Sequence, residues 1–106
     1  MKERWIVIVN VYAASKKAGA LWRGAESQLK LYGVDYQCRM TGVEGNACEL
    51  ARAASAEGFR RFIAVGGDGT VHDVLNGIMH YVDSHDAISS GVAVNEFTLA
   101  VLPMGS

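Results

Sequence analysis

Trp5-Ile6-Val7-Ile8-Val9 is an unbroken, mostly β-branched apolar run, and a strand of that kind has to be covered on both faces. The rest of the chain alternates between two kinds of apolar segment. From Ala18 to Tyr32, Leu21, Ala25, Leu29 and Tyr32 recur at helical steps, and Gly33 supplies a stop. Val34 to Met40 alternates instead, with Val34, Tyr36 and Cys38 on one side and a Thr41-Gly42 turn after it, which predicts a strand near a sheet edge. Asn46 can cap a helix in which Ala47, Leu50, Ala51 and Ala54 share a face and Gly58 closes the end. Phe62 to Val65 reads as a third strand. Thr70-x-x-Asp73 reads as a capping box opening a helix with Val71, Val74, Leu75, Ile78 and Val82 on one face. The polar, Gly-interrupted stretch Asp83 to Glu96 reads as loop, and Thr98 to Leu102 as a fourth strand ending in Pro103-Met104-Gly105-Ser106. Alternating strands and helices imply parallel strands, right-handed crossovers and helices on both faces. Ligands of such sheets sit beyond the carboxyl ends of the strands. The residues expected there are Asn10, Thr41, the loop at Gly66 and Gly105-Ser106.

The most specific of those ends is Gly66-Gly67-Asp68-Gly69-Thr70. Glycines permit backbone angles closed to other residues and let a ligand approach the main chain. With a helix starting at Thr70, its orphan amides and the positive end of its dipole would face the same spot, a natural phosphate site. Three or four converging amides, at roughly 1.5–3 kcal/mol each for a charged acceptor, suffice for millimolar to micromolar binding. The helix dipole alone, at about 0.3–1 kcal/mol, does not. A carboxylate beside phosphate would repel it. Asp68 therefore points to a bridging divalent cation or to a proton-accepting role. The bland reading is a tight strand-to-helix turn that uses glycine for geometry alone.

Composition narrows the partners. The chain has 106 residues, half of them hydrophobic, and a net charge of −1, which suits one compact core and leaves no basic footprint for nucleic acid. No apolar run approaches the roughly 20 residues that span a bilayer, and no signal-peptide pattern is present, so a cytoplasmic location is expected. Cys38 and Cys48 lack a second pair and read as buried or half-buried thiols. His72, His80 and His85 show no metal-ligand spacing. Trp5 and Trp22 read as core or core margin, and Tyr12 as a loop residue able to stack on a base.

The segment Gly66-Gly67-Asp68-Gly69-Thr70-Val71-His72-Asp73-Val74-Leu75-Asn76-Gly77 resembles the signature of the diacylglycerol kinase catalytic domain family, in which GGDGT is followed by two variable residues, Glu, two more, and Asn-Gly. Thr41-x-x-x-Gly45-x-Ala47 resembles that family's Thr-x-x-x-Gly-His-Ala element, Asn10 its Asn-Pro element, and Pro103-x-Gly105-Ser106 the start of its Pro-x-Gly-Thr-Gly-Asn-Asp element. The resemblance covers essentially the whole chain. It implies an α/β, three-layer, parallel-sheet nucleotide-binding domain, Rossmann-like, as in the N-terminal domain of the NAD kinase and diacylglycerol kinase group. It also implies transfer of the γ-phosphoryl group of ATP to a lipid hydroxyl such as that of diacylglycerol, with Mg²⁺. Asn10, Thr41, Gly66, Gly67, Asp68, Gly69, Thr70, Val71, His72 and Ser106 would then line the ATP site. The Gly66, Gly67, Gly69 and Thr70 amides would cradle phosphate, and Asp68 would bind metal or orient the acceptor.

The chain departs from the family pattern at several positions. Val11 stands where the family has Pro and Ala14 where it often has Gly, with Lys16 and Lys17 available to compensate. Asp73 replaces Glu and could serve the site or merely cap a helix. Asn76-Gly77 is locally unfavourable to a helix, which marks either a functional site or a helix end. Relatives continue into a β-rich second domain that completes the lipid site and supplies an acidic group. The chain therefore reads as the N-terminal subdomain of a longer enzyme, inactive by itself. Its nucleotide partner would bind here and its lipid acceptor through the second domain. Peripheral membrane contact would belong to the longer protein, and the surface facing the second domain could support homo-oligomers. Other readings are an NAD kinase-like or phosphofructokinase-like small-molecule kinase, a non-catalytic nucleotide-binding or dimerisation module, and, more remotely, a flavodoxin-like binding protein.

Overall fold

The computed structural model describes residues 2–10, 17–42 and 45–103. In chain order these form β1 (Lys2–Val9), α1 (Lys17–Leu31), β2 (Tyr36–Met40), α2 (Ala47–Glu57), β3 (Phe59–Gly66), α3 (Asp68–Val82), α4 (His85–Ser89), a 3-10 turn (Val94–Glu96) and β4 (Thr98–Pro103). The sheet order is β2-β1-β3-β4 and each pairing is parallel. The expected edge position of the second strand is observed. Val7 lies between Cys38 and Ile63, and Ile63 in turn lies opposite Ala100.

Successive strand residues face opposite sides, so the two apolar runs of the central strands feed two cores at once. Ile6, Ile8, Phe62 and Ala64 pack with Leu50, Ala51 and Ala54 of α2 and with Val74 and Ile78 of α3. Val7, Val9, Ile63 and Val65 pack with Trp22 of α1, flanked by Ala25 and Leu29. The result is the expected three-layer α/β arrangement, with Trp22 in the core and Trp5 at its margin. Both cysteines are half-buried and free, as expected.

Helix α2 starts and ends as its sequence predicts. Asn46 Oδ1 accepts from the Glu49 amide at 2.9 Å, Glu49 Oε1 accepts from the Asn46 amide at 3.1 Å, and Gly58 closes the helix at φ 106°. Helix α3 does not. It begins at Asp68 with Gly67 as an N-cap that has no side-chain hydrogen bond, so the Thr70 capping box is not formed. Thr70 lies inside the first turn because its hydroxyl is engaged elsewhere, by Asn10. The expected five-residue loop is thereby reduced to a turn at Gly67 followed by helix.

Other boundaries moved for identifiable reasons. Strand β3 begins at Phe59, earlier than the apolar pattern allows, because Arg60 is itself buried. Its Nη1 donates to the carbonyls of Ser55 (2.9 Å) and Phe59 (2.8 Å), and its guanidinium lies 4.7 Å from the Phe97 ring. The stretch expected to be loop contains α4, capped by Ser84 Oγ accepting from the Ala87 amide at 3.2 Å and anchored by the fully buried Ala87. One turn is too short to show a period. Tyr32 and Leu75, both expected on buried helix faces, are 77% and 43% exposed. Asn76-Gly77 neither ends α3 nor lines the site. A Cβ on Gly77 would lie 2.7 Å from Ala51 Cβ and 3.0 Å from the Arg52 nitrogen, and closer still to the Cys48 carbonyl. Glycine there lets α3 pack against α2.

Candidate functional site at the carboxyl rim of the sheet

The β1–β3 and β1–β2 ladders each run one residue past the strand, and this brings polar side chains from separate parts of the chain together. The Asn10 amide donates to Val65 O at 3.0 Å, and the Thr41 amide donates to Val9 O at 2.9 Å. Asn10 Nδ2 then donates to Thr70 Oγ1 at 3.0 Å, and Thr41 Oγ1 lies 3.4 Å from Asn10 Oδ1 as a longer donor. Asn10, Thr41 and Thr70 thus connect the ends of β1 and β2 to the first turn of α3.

The three motif glycines stand in different environments. A Cβ on Gly66 would meet Thr70 Cβ at 2.8 Å and Cγ2 at 3.0 Å, so glycine is required there by the neighbouring threonine. Gly67 has φ −92°, open to any residue. A Cβ on Gly69 would meet nothing within 4 Å. The permissive-angle argument therefore reaches neither Gly67 nor Gly69. At Gly69 the structure offers no internal reason for glycine, and the space beside its main chain is open.

The donors at this helix start are also redistributed. The amides of Thr70 and Val71 are both directed at Gly67 O, at 3.1 and 3.2 Å, and Gly66 is the last residue of β3, opposite Pro103. Asp68 and Gly69 occupy the first turn, where no earlier turn supplies an acceptor for their amides. The Asp68 side chain is exposed beside them.

Two clefts flank this helix start. One, of about 460 Å³, exposes polar and apolar surface in similar measure and is lined by Asn10, Thr41, Gly42, Gly45, Asn46 and Asp73, among others. The other, of about 580 Å³, is largely apolar and is lined by Asp68, Gly69, Val71, His72, Leu75 and Val101. The expected residues thus divide, with Asn10 and Thr41 on one side of α3, Asp68, Gly69, Val71 and His72 on the other, and Gly66, Gly67 and Thr70 between. Asp73 is exposed in the second turn of α3 and is not a cap. Ser106 lies outside the described residues, as do Val11, Tyr12, Ala14 and Lys16.

Sequence reasoning missed Gly42 and Gly45 as lining residues. They exchange two main-chain hydrogen bonds, at 3.0 and 3.1 Å, and both have φ near the glycine-only region, at 137° and 136°. The spacing Thr41-Gly42 and Gly45-x-Ala47 carried that signal. Leu75 and Val101 were missed because an apolar residue in a helix or strand pattern looks like core. Among the described residues, no group of three His, Cys, Asp or Glu side chains converges to hold a metal ion.

A parallel sheet covered on both faces, with its polar and glycine residues gathered at the carboxyl rim around an uncapped helix start, defines an α/β domain of the nucleotide-binding type. The chain matches the diacylglycerol kinase catalytic domain family over residues 4–106 and belongs to it. It is 30% identical over 97 residues to "Putative lipid kinase YtlR" of Bacillus subtilis (strain 168), covering 89% of this chain and 31% of that protein. It is 33% identical over 84 residues to "Probable lipid kinase YegS-like" of Chromohalobacter salexigens, covering 79% and 24% respectively. A protein of the same name from Stenotrophomonas maltophilia (strain K279a) is 31% identical over 107 residues, covering 97% and 30%. The chain spans about a third or less of the length of these curated relatives. No helix among the described residues is long and apolar enough to cross a membrane.

Proposed function

We propose that this chain is the nucleotide-binding part of an ATP-dependent lipid kinase, which transfers the γ-phosphoryl group of ATP to a lipid hydroxyl such as that of diacylglycerol. The observation that carries this reading is the uncapped start of α3, where two first-turn amides and the Asp68 carboxylate share the rim of the sheet. Phosphoryl transfer asks little covalent chemistry of a protein and depends on positioning and charge neutralisation. The amides of Asp68 and Gly69 donate to phosphate oxygens, assisted by the dipole of α3. Asn10, Thr41, Gly66 to Gly69, Val71 and His72 form the walls, Thr70 supports them from the buried side, and Ser106 is proposed as a further ligand contact.

Mg²⁺ fits this donor set. That ion keeps several waters and takes one or two carboxylates plus substrate phosphates rather than a dedicated protein cage, and one exposed aspartate beside free amides meets that need. When bound, it would neutralise charge on the β- and γ-phosphates. Asp68 would hold it, or would accept the proton of the attacking hydroxyl as the new O–P bond forms and ADP leaves with the bridging oxygen. Residues 1–106 do not turn over by themselves, and a β-rich second domain completes the acceptor site; the greater length of the relatives supports this division. The complete enzyme works in the cytoplasm and meets its lipid by peripheral contact with a membrane.

Titration with Mg-ATP, monitored through backbone amide resonances, tests the reading. Asp68 and Gly69 should shift first, Asp68→Asn should abolish phosphate transfer by the complete enzyme, and diacylglycerol should be a better acceptor than NAD. Unperturbed resonances from Val65 through Asp73 would refute nucleotide binding here. Phosphorylation of NAD instead of lipid would refute the acceptor class.

A further inference from the structure

We infer that Asn10 and Thr70 are positioning residues, a side-chain latch that fixes the first turn of α3 to the end of β1 without consuming the amides a phosphate would use. The inference rests on the nucleotide site proposed above. Its starting point is a contrast between helices. Helix α2 has a reciprocal capping box and α4 has a serine cap, whereas α3 starts at a glycine with no side-chain cap. A capping side chain accepts from the second or third amide of the helix, which here belong to Gly69 and Thr70. A conventional cap would stiffen the turn and block the site together.

The hydrogen bond from Asn10 Nδ2 to Thr70 Oγ1, at 3.0 Å, provides the stiffness by another route. Thr70 is 3% exposed, and its amide is directed at Gly67 O, so neither its hydroxyl nor its main chain faces the rim. Asn10 is itself held to β3 through Val65 O, so the anchor belongs to the rigid centre of the sheet. The absence of a side chain at Gly66 fits the same purpose, because a Cβ there would displace the Thr70 side chain from Asn10. Thr41, 3.4 Å from Asn10 Oδ1, extends the contact to the end of β2, where the cleft lined by Asn10 and Thr41 begins. Gly66 and Thr70 thus serve the site through geometry, while Asp68 and Gly69 face the ligand.

The test compares Thr70→Val, Thr70→Ser, Asn10→Ala and the Asn10→Ala/Thr70→Val double variant, by amide hydrogen exchange without ligand and by Mg-ATP titration calorimetry. Loss of one neutral hydrogen bond from a preorganised site should weaken Mg-ATP binding roughly 3- to 10-fold in Thr70→Val and in Asn10→Ala. The double variant should be no worse than Asn10→Ala alone, since Thr70→Val removes only a bond that Asn10→Ala has already broken. Exchange at the Thr70 and Val71 amides should accelerate in step, and Thr70→Ser, which keeps the hydroxyl, should restore both readouts. Additive losses in the double variant, or unchanged exchange at those two amides, would overturn the latch. If the unaltered protein failed to bind Mg-ATP, the nucleotide reading would fall, and the exchange data would still decide whether the latch exists.

Discussion

Replacing Gly77 by alanine tests how α3 is held, because two opposing effects have to be weighed. Gly→Ala in a helix interior stabilises by about 1 kcal/mol through propensity alone. Against that, the new methyl would stand 2.7 Å from Ala51 Cβ and 3.0 Å from the Arg52 nitrogen, with the Cys48 carbonyl nearer still. Two of those three neighbours are main chain of α2, which cannot rotate away. The helices would have to separate, loosening Leu50, Ala51 and Ala54 against Val74 and Ile78. Overpacking of this kind costs about 1–3 kcal/mol, and a clash with backbone belongs at the upper end. The net effect is a loss of about 2 kcal/mol, or roughly 8–16 °C in Tm for a domain of this size. Thermal unfolding monitored by circular dichroism reads it directly. Gly24→Ala is the control, since Gly24 lies within α1 and a Cβ there meets nothing within 4 Å, so it should raise Tm. A rise for Gly77→Ala as well would refute the close α2–α3 contact.

The same geometry sets three further outcomes. Gly69→Ala should stabilise the fold by about 1 kcal/mol, since the site is helical and open, yet weaken Mg-ATP binding roughly tenfold by occupying the space beside the amides; equal affinity by calorimetry would show that no ligand approaches there. Arg60→Met removes two charged-donor hydrogen bonds to the Ser55 and Phe59 carbonyls and should cost about 3 kcal/mol in urea unfolding, whereas a loss under 1 kcal/mol would show the cation to be incidental. The fold should weaken at high pH. Burial, then Glu26, pushes the Cys38 thiol from its ordinary 9.0 to about 11; burial, then the hydrogen bond from its hydroxyl to Glu26, pushes Tyr36 from 10.0 to about 12. The folded state holds these protons more tightly, so their contribution is whole below pH 9.0 and is lost as pH rises through about 11 and then about 12. Urea midpoints measured from pH 8 to 12 should fall over that window, and less steeply in a Tyr36→Phe/Cys38→Ala variant; identical slopes would assign the loss elsewhere.

Most of the fold was legible because periodicity and caps are local. Trp5 to Val9 announces a strand buried on both faces, and the Asn46 capping box and Gly58 bracket α2 by chemistry contained within a few residues. What escaped was decided by partners distant in sequence. Arg60 lies outside the apolar run Phe62 to Val65, and it joins the strand because Phe97 and Tyr81 cover its guanidinium, at 4.7 and 5.6 Å. Leu75 has a core pattern, yet its neighbour across the cleft is Val101 of an edge strand, and both stay more than two-fifths exposed, at 43% and 44%. Thr70 has every local feature of a cap, and only Asn10, remote in sequence, claims its hydroxyl.

The motif at Gly66 shows why a signature can be recognised correctly and still be misread in detail. As a string of letters, its three glycines argue one thing, a loop of permissive angles whose bare main chain cradles phosphate. In the fold they answer to three different constraints. Gly66 leaves room for a buried threonine, Gly67 starts a helix without spending its donors on a side chain, and Gly69 keeps the outer face of the first turn bare. On the proposed reading, only the last two concern a ligand directly. A turn that holds a highly charged group, as proposed, gains from rigidity, and the Asn10–Thr70 hydrogen bond supplies a contact on the buried side of the helix, away from the Asp68 and Gly69 amides. The division is a consequence of helix geometry: residues within one turn point to opposite sides, so adjacent positions of a short motif can serve the core and the site separately.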